Sequence, residues 1–316
     1  DIENLEVLLP DIDTQKNIVA ILSVIDEKIE VVNDGEFETV MLSGLRFDES
    51  LKTISYILSM KYFPAVRDAG VSCIICPKDI AEDISKEFDG GICTSDDPKT
   101  VFFQAHETIS KQRELNFDTV IGENCNIAES AVISPKNVRI GNNVTIDPQV
   151  VIYDGVVIDD NVRVMSGTVI GSPAFYYYGE GPKKKLVYSS GTVHLYEGST
   201  IHTNVSIQKG VIGGETKIGR YSSIDNCIMV GHDTWIGEDV IAAANITFGG
   251  WAEIGDNTFV GVQSCIAPMT KVGKNCKISM GAVVTKDVAD NSQVSGNFAI
   301  DHKLYIEHLK SILGDK

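Results

Sequence analysis

From Val120 onward the hydrophobic positions follow one dominant period, and that period is six. Aliphatic residues stand at Ile121, Ile127 and Ile133, then, after one extra residue, at Ile140, Ile146, Ile152, Ile158, Val164 and Ile170. The series pauses over 171–192, GSPAFYYYGEGPKKKLVYSSGT, and resumes at Leu195, Ile201 and Ile207. After one shift it runs from Ile212 through Ile218, Ile224, Val230, Ile236, Ala242, Phe248, Ile254, Val260, Ile266, Val272 and Ile278 to Val284. A small residue usually follows the aliphatic one, as in IGENCN, IGNNVT and IGDNTF. Ordinary half-buried strands alternate with period two, so this pattern calls for another architecture. A solenoid supplies it. Each hexad makes one short flat strand and a tight turn, and three hexads close a triangular coil. The aliphatic side chain points inward and stacks on its equivalent eighteen residues later. Glycine and asparagine take the turn positions that tolerate left-handed backbone angles.

The chain before Val120 reads differently. TQKNIVAILSVIDEKI, residues 14–29, has apolar residues at helical spacing, with Asp13 or Thr14 as N-cap. A turn at Asn33-Asp34-Gly35 follows. FETVMLSGL and VSCIICP read as strands, and KDIAEDISKEF and KTVFFQAHETISKQ as helices. Interleaved strands and helices predict a small α/β domain. The expected division is therefore an α/β domain over 1–115, the solenoid over 116–290, and a segment over 291–316 with a short helix near 303–313.

Composition narrows the partners. The 316 residues suffice for two domains, and 43% hydrophobic with 22% charged is ordinary for a soluble chain. A net charge of −17 argues against nucleic acid and against an anionic membrane surface. No run approaches eighteen apolar residues, so no membrane insertion is expected. The start, DIENLEVLLPDID, is acidic, unlike a signal peptide. Seven cysteines are scattered, and Cys73 and Cys76, although a CxxC, lie in an apolar run where cysteine acts as a small hydrophobe. Reduced thiols and a cytoplasmic location are the expectation.

Three segments carry a resemblance: SGLRFDESLKTISYILSMKYFPAV in the first domain, GSPAFYYYGEG at the pause, and IDNCIMVGHDTWIGEDVIAAANITFGG at the centre. With the hexads, they make the chain similar to the hexapeptide-repeat acyltransferases, and more narrowly to the UDP-3-O-acylglucosamine N-acyltransferase family. The resemblance implies a left-handed parallel β-helix and a homotrimer with active sites between subunits. It also implies His232 as general base and the Gly250 amide as oxyanion donor. The chemistry fits these residue types. An amine attacking a thioester must lose a proton, which suits histidine near neutral pH, and a glycine N–H lets an oxyanion approach. His232 and Gly250 are eighteen residues apart, which is one coil, so they share a face. Asp225 and Asn226 match the family's IDN stretch, and either contacts the sugar or orients the imidazole.

In the first domain, Tyr56 and Tyr62 have the spacing of the family's aromatic base clamp, with Ser59 where the family usually has asparagine. Uracil and thymine would stack equally well. Gln208 stands where the family commonly has aspartate. Lys183 and Lys184, with Gly249 and Trp251, are candidates for donor binding. Either the 171–192 segment folds over a pyrophosphate or the donor, or it is a solvated loop. The stretch GAVVTKDVADNSQVSGNFA resembles the last coil of acetyltransferases that use coenzyme A, and only one short helix follows it. The expected function is therefore an acyl-CoA-dependent N-acyltransferase acting on a dTDP- or UDP-linked amino sugar for a surface polysaccharide. An acyl-carrier-protein-dependent enzyme of lipid A synthesis and a non-catalytic scaffold are the alternatives. A zinc site built from His194, His202 and His232 is not expected, since their gaps of eight and thirty residues do not converge on one ion.

Overall fold

The computed structural model describes residues 16–17, 29–42, 51–296, 299 and 301–313. The first domain has a five-stranded sheet, in the order β1 (Ile29–Asn33), β5 (Gly91–Ser95), β4 (Cys73–Cys76), β3 (Thr53–Tyr56), β2 (Thr39–Val40). Within it the β1–β5 pair is antiparallel and the others are parallel. Among the described residues, three α-helices accompany it: α1 (Phe63–Asp68), α2 (Ala81–Ser85) and α3 (Pro98–Gln112). The α3 helix begins where the Asp97 side chain accepts the Thr100 N–H at 3.0 Å, with Pro98 in the first turn. The helix expected over 14–29 is corrected at its start. Lys16–Asn17 is a strand paired with Glu36–Phe37, and 18–28 lie outside the described residues. The Asp13 and Thr14 caps and the whole of SGLRFDES also lie outside them.

Cys73 and Cys76 are fully buried, on opposite faces of the sheet and in separate core clusters. Burial pushes both thiols up, to about 12 and about 11. They are packing residues.

From Val120 the chain winds into three parallel sheets that form the faces of a triangular prism. The register is eighteen residues per uninterrupted coil, as along Met229, Thr247, Cys265 and Val283. The inward hexad residues from Val138 to Val284 make one continuous core. Each buried Val or Ile contributes roughly 1.5–3 kcal/mol. Three residues past most inward side chains the backbone turns left-handed, for example at Asn143, Asn161, Asn245, Asn257 and Asn275. Asparagine tolerates this conformation best among residues with a Cβ. The last strand, Gln293–Val294, pairs with Lys277–Ile278, so the solenoid passes the expected limit at 290. A helix, α4, spans His302–Leu313.

Two segments leave the prism, and both leave from the same edge. Residues 173–191 project between Val169–Ser172 and Thr192–Leu195, carrying a hairpin of Tyr177–Tyr178 against Lys185–Leu186. Residues 209–214 project between Ser206–Gln208 and Glu215–Ile218. The second segment corrects the assignment of Ile212 as an inward hexad residue. Ile212 packs instead, with the fully buried Val211, against the first domain.

The outer face holds one electrostatic feature of note. His194 lies 2.8 Å from Asp159 and 3.5 Å from Glu215, and stacks on Tyr196 at 3.9 Å. Burial opposes its charge, but the hydrogen bonds to Asp159 and Glu215 outweigh it and raise its pKa from 6.5 to about 9. A raised pKa stabilises the fold below the unfolded value and loses that contribution as pH climbs through the folded one. The shift is equivalent to about 3 kcal/mol. Urea unfolding should therefore show His194→Gln less stable than the native chain by about that amount near pH 6, with most of the gap gone near pH 9.5. An equal gap at both pH values would contradict this ion pairing.

Candidate active site

The edge that carries the two projections also carries His232 and Gly250. Val230 aligns with Phe248 in the parallel ladder, so Gly231 aligns with Gly249, and His232 with Gly250. The imidazole is 7% exposed. Its Nδ1 lies 3.0 Å from Asp233 Oδ2. The same carboxylate oxygen accepts the Val211 N–H at 3.0 Å, and the Asp233 N–H donates to Thr216 Oγ1 at 2.7 Å. Asp233 sits at the left-handed corner position, φ 58°, which turns its side chain back toward the ring. The contact ties the Nδ1 side of the ring to Asp233 and turns the Nε2 side toward Gly250.

Nε2 lies over Gly250. A Cβ built on Gly250 would stand 2.6 Å from both Cε1 and Nε2. The Gly250 N–H has no acceptor among the described residues. Elsewhere the same corner N–H is often capped from the next coil: Asn142 by Asp160 at 2.6 Å, Glu238 by Asp256 at 3.0 Å and Lys274 by Asp290 at 2.8 Å. One coil beyond Gly250 stands Pro268, whose side chain offers no acceptor. A base nitrogen and a free backbone donor thus occupy one small volume, as acyl transfer through an oxyanion requires.

Aromatic rings wall this volume. Trp251 stands perpendicular to the imidazole, ring centroids 4.2 Å apart, and its backbone N–H donates to the His232 carbonyl at 2.9 Å. Its φ of 59° is a left-handed conformation that bulky residues rarely hold. Tyr176, from the first projection, lies 5.9 Å from His232 and 5.9 Å from Trp251.

The other expected residues fall as follows. Asp225 and Asn226 lie at a different prism edge, so neither orients the imidazole of their own chain. That part of the expectation is corrected, and Asp233 does the orienting. Asp225 faces His202 at 3.8 Å, and Asn226 Oδ1 accepts the Thr203 N–H. His194, His202 and His232 belong to three different faces or edges of the prism, each with its own carboxylate. Gln208 is half-buried at the site's edge, one coil before Gly231. Gly249 is required by space, since a Cβ there would meet Pro268 N at 2.5 Å. Lys183 and Lys184 are exposed at the hairpin tip, whereas Ala174, Tyr178 and Val187 of the same segment are buried against α3. The segment is thus neither wholly solvated nor a free flap. Tyr56 packs on Phe102, centroids 5.0 Å apart, and burial pushes its hydroxyl up to about 12. Tyr62 is 51% exposed, and no ring contact joins it to Tyr56 among the described residues. Asp233 and Tyr176 were not among the expected site residues.

The hexapeptide solenoid defines the class as acyltransferase, and the His232 imidazole beside the unpaired Gly250 N–H is of a kind with that chemistry. The chain belongs to the hexapeptide-repeat acyltransferases with a left-handed parallel β-helix. A bacterial transferase hexapeptide (six repeats) model matches residues 137–172, and a GLGC left-handed parallel beta-helix domain model matches residues 182–311. A curated Acyl-[acyl-carrier-protein]--UDP-N-acetylglucosamine O-acyltransferase of Campylobacter concisus is 32% identical over 183 residues, covering 57% of this chain and 67% of the relative. UDP-3-O-acylglucosamine N-acyltransferases are 28% identical in both Helicobacter pylori and Campylobacter lari. The first match covers 85% of each chain, and the second 86% of this chain and 90% of the relative. Matches to other curated relatives span about half their length, 51% for the Wolinella succinogenes N-acyltransferase. Among solved structures, the UDP-N-acetylglucosamine acyltransferase from Campylobacter jejuni aligns with a TM-score of 0.52 at 25% identity, over 63% of this chain and 81% of that one. No helix among the described residues is long and apolar enough to cross a membrane.

Proposed function

We propose that this chain transfers an acyl group from a thioester to the amino group of a UDP-linked amino sugar. The observation that carries the reading is His232 Nε2 set over the uncapped N–H of Gly250. The amine nitrogen attacks the thioester carbon and gives its proton to Nε2. The oxyanion rests on the Gly250 N–H. Collapse breaks the carbon–sulfur bond, and the leaving thiolate takes the proton from the imidazolium. The two relatives matched over 85% and 90% of their own length are named as UDP-3-O-acylglucosamine N-acyltransferases. The acyl-CoA expectation gives way here to an acyl-carrier-protein donor, because a relative's name specifies that donor and none of these names specifies coenzyme A. Tyr56 and Tyr62 are the candidates for base contact once nucleotide is bound.

The purified chain should turn over acyl-loaded carrier protein with a UDP-amino sugar, and mass spectrometry should find an amide. An ester product, or turnover with acyl-CoA alone, would overturn the acceptor or the donor respectively.

The working unit in this reading is a homotrimer. A column of exposed apolar side chains, Val262 and Met280 with Ile241, Phe259 and Val283 beside them, follows the edge that also bears His202, Asp225 and Asn226. Packing that edge against a neighbour's His232 edge covers the column and brings those polar groups to the site. Sedimentation should give a trimer for the native chain and a smaller species for Val262→Asp. A monomeric native chain would contradict it.

A further inference from the structure

Tyr176 joins two parts of the molecule that the chain keeps far apart. Its segment springs from the solenoid but is anchored in the first domain. Ala174, Tyr178 and Val187 share one buried cluster with Val101, Phe102, Phe103 and Ala105 of α3. Phe103 stacks on Tyr178 at 5.2 Å and meets the Tyr176 ring at 5.9 Å. Hydrogen bonds hold the Tyr176 backbone on both sides: its N–H donates to Ala174 at 2.9 Å, and its carbonyl accepts the Val187 N–H at 2.8 Å. The ring then reaches His232 and Trp251 together. On the far side of Phe103 and Phe102 lies Tyr56, with centroids at 6.4 and 5.0 Å. An unbroken row of ring contacts therefore runs from the sheet of the first domain to the base.

The imidazole itself is held by few groups. Asp233 fixes Nδ1, which restrains the ring at one corner. Rotation about that hydrogen bond is limited by what stands around the ring: the Gly250 backbone on one side, with Trp251 and Tyr176 beside it. The Trp251 backbone is strained in place. Tyr176 depends on the first domain for its position. We infer that Tyr176 is a positioning residue for His232, through which the packing of the first domain sets where Nε2 points. The role as base rests on the proposed function, but the contact itself does not.

The test reads the imidazole without needing an acceptor. The full chain is labelled with ring-¹³C histidine, and the His232 signal is assigned by its loss in His232→Gln. Phe103→Leu alters the first domain without touching His232, and should displace that signal. In a Tyr176→Leu background the same change should leave most of that displacement absent, because the intermediary is gone. Equal displacement in both backgrounds overturns the inference, as does none in either. Phe103→Met serves the same cycle if the leucine variant does not fold. With substrates, Tyr176→Leu should lower kcat about tenfold or more with little change in KM, since small misplacements of a base are costly. Loss of activity in His232→Ala with an unchanged Tyr176 cycle would leave the proposed function standing and remove only this inference.

Discussion

His232→Ala lowers kcat by about 10²–10⁴-fold and leaves the thermal midpoint and the assembly unchanged. The size follows from the loss of a positioned general base. The selectivity follows from where the residue sits. His232 lies outside the stacked aliphatic core, which runs through Val230 and Phe248 directly beneath it. Among the described residues the side chain's polar contact is to Asp233, and Asp233 keeps its bonds to Val211 and Thr216 when the imidazole is gone. Steady-state kinetics at saturating donor and acceptor, with a melting curve on the same sample, separates the two quantities. Unchanged turnover would dispose of His232 as the base. A collapsed melting curve would show the residue to be part of the scaffold.

Gly250→Ala is expected to be nearly as damaging to kcat, about 10²-fold, although it keeps the backbone N–H. Gly250 does not use a left-handed conformation, so alanine suits its backbone. The obstacle is the new methyl, 2.6 Å from Nε2 and Cε1 of His232. The imidazole must yield. Trp251 stands close beside it at 4.2 Å, so the ring leaves its bond with Asp233 and no longer faces the acceptor. Gly249→Ala makes the contrast. There the methyl meets backbone, Pro268 N at 2.5 Å, which cannot swing aside, so the coil itself is strained. The first variant should lose rate and keep its melting temperature, and the second should lose melting temperature. Native kcat in Gly250→Ala would refute the tight stacking of the two residues.

The coils were legible because a six-residue period leaves its mark on every turn of the chain. Eighteen-residue arithmetic likewise put His232 over Gly250 correctly. The same arithmetic, carried further, separates Asp225 from His232, since a gap of seven residues crosses from one edge to the next. Ile212 misled because it stands six residues before Ile218, yet the glycines at 210, 213 and 214 mark a segment that leaves the coil. Asp233 had a signal in plain view, an acidic side chain at a left-handed corner next to a histidine. Tyr176 had none. Aromatic residues in a projection say that something will be packed against, but not what, and here the partners lie 73 residues before it in Phe103 and 56 after it in His232.

The gathering of both projections, His232 and Gly250 on one edge of the prism sets a rule for changes in chain length. Removing six residues between the projections and His232 would carry the histidine round to the next edge, away from Tyr176 and the first domain. Removing eighteen would bring it back to the same edge, one storey lower. The molecule is in this respect a spiral staircase whose doors all open on one landing side, and only whole turns can be added or taken away without walling them up.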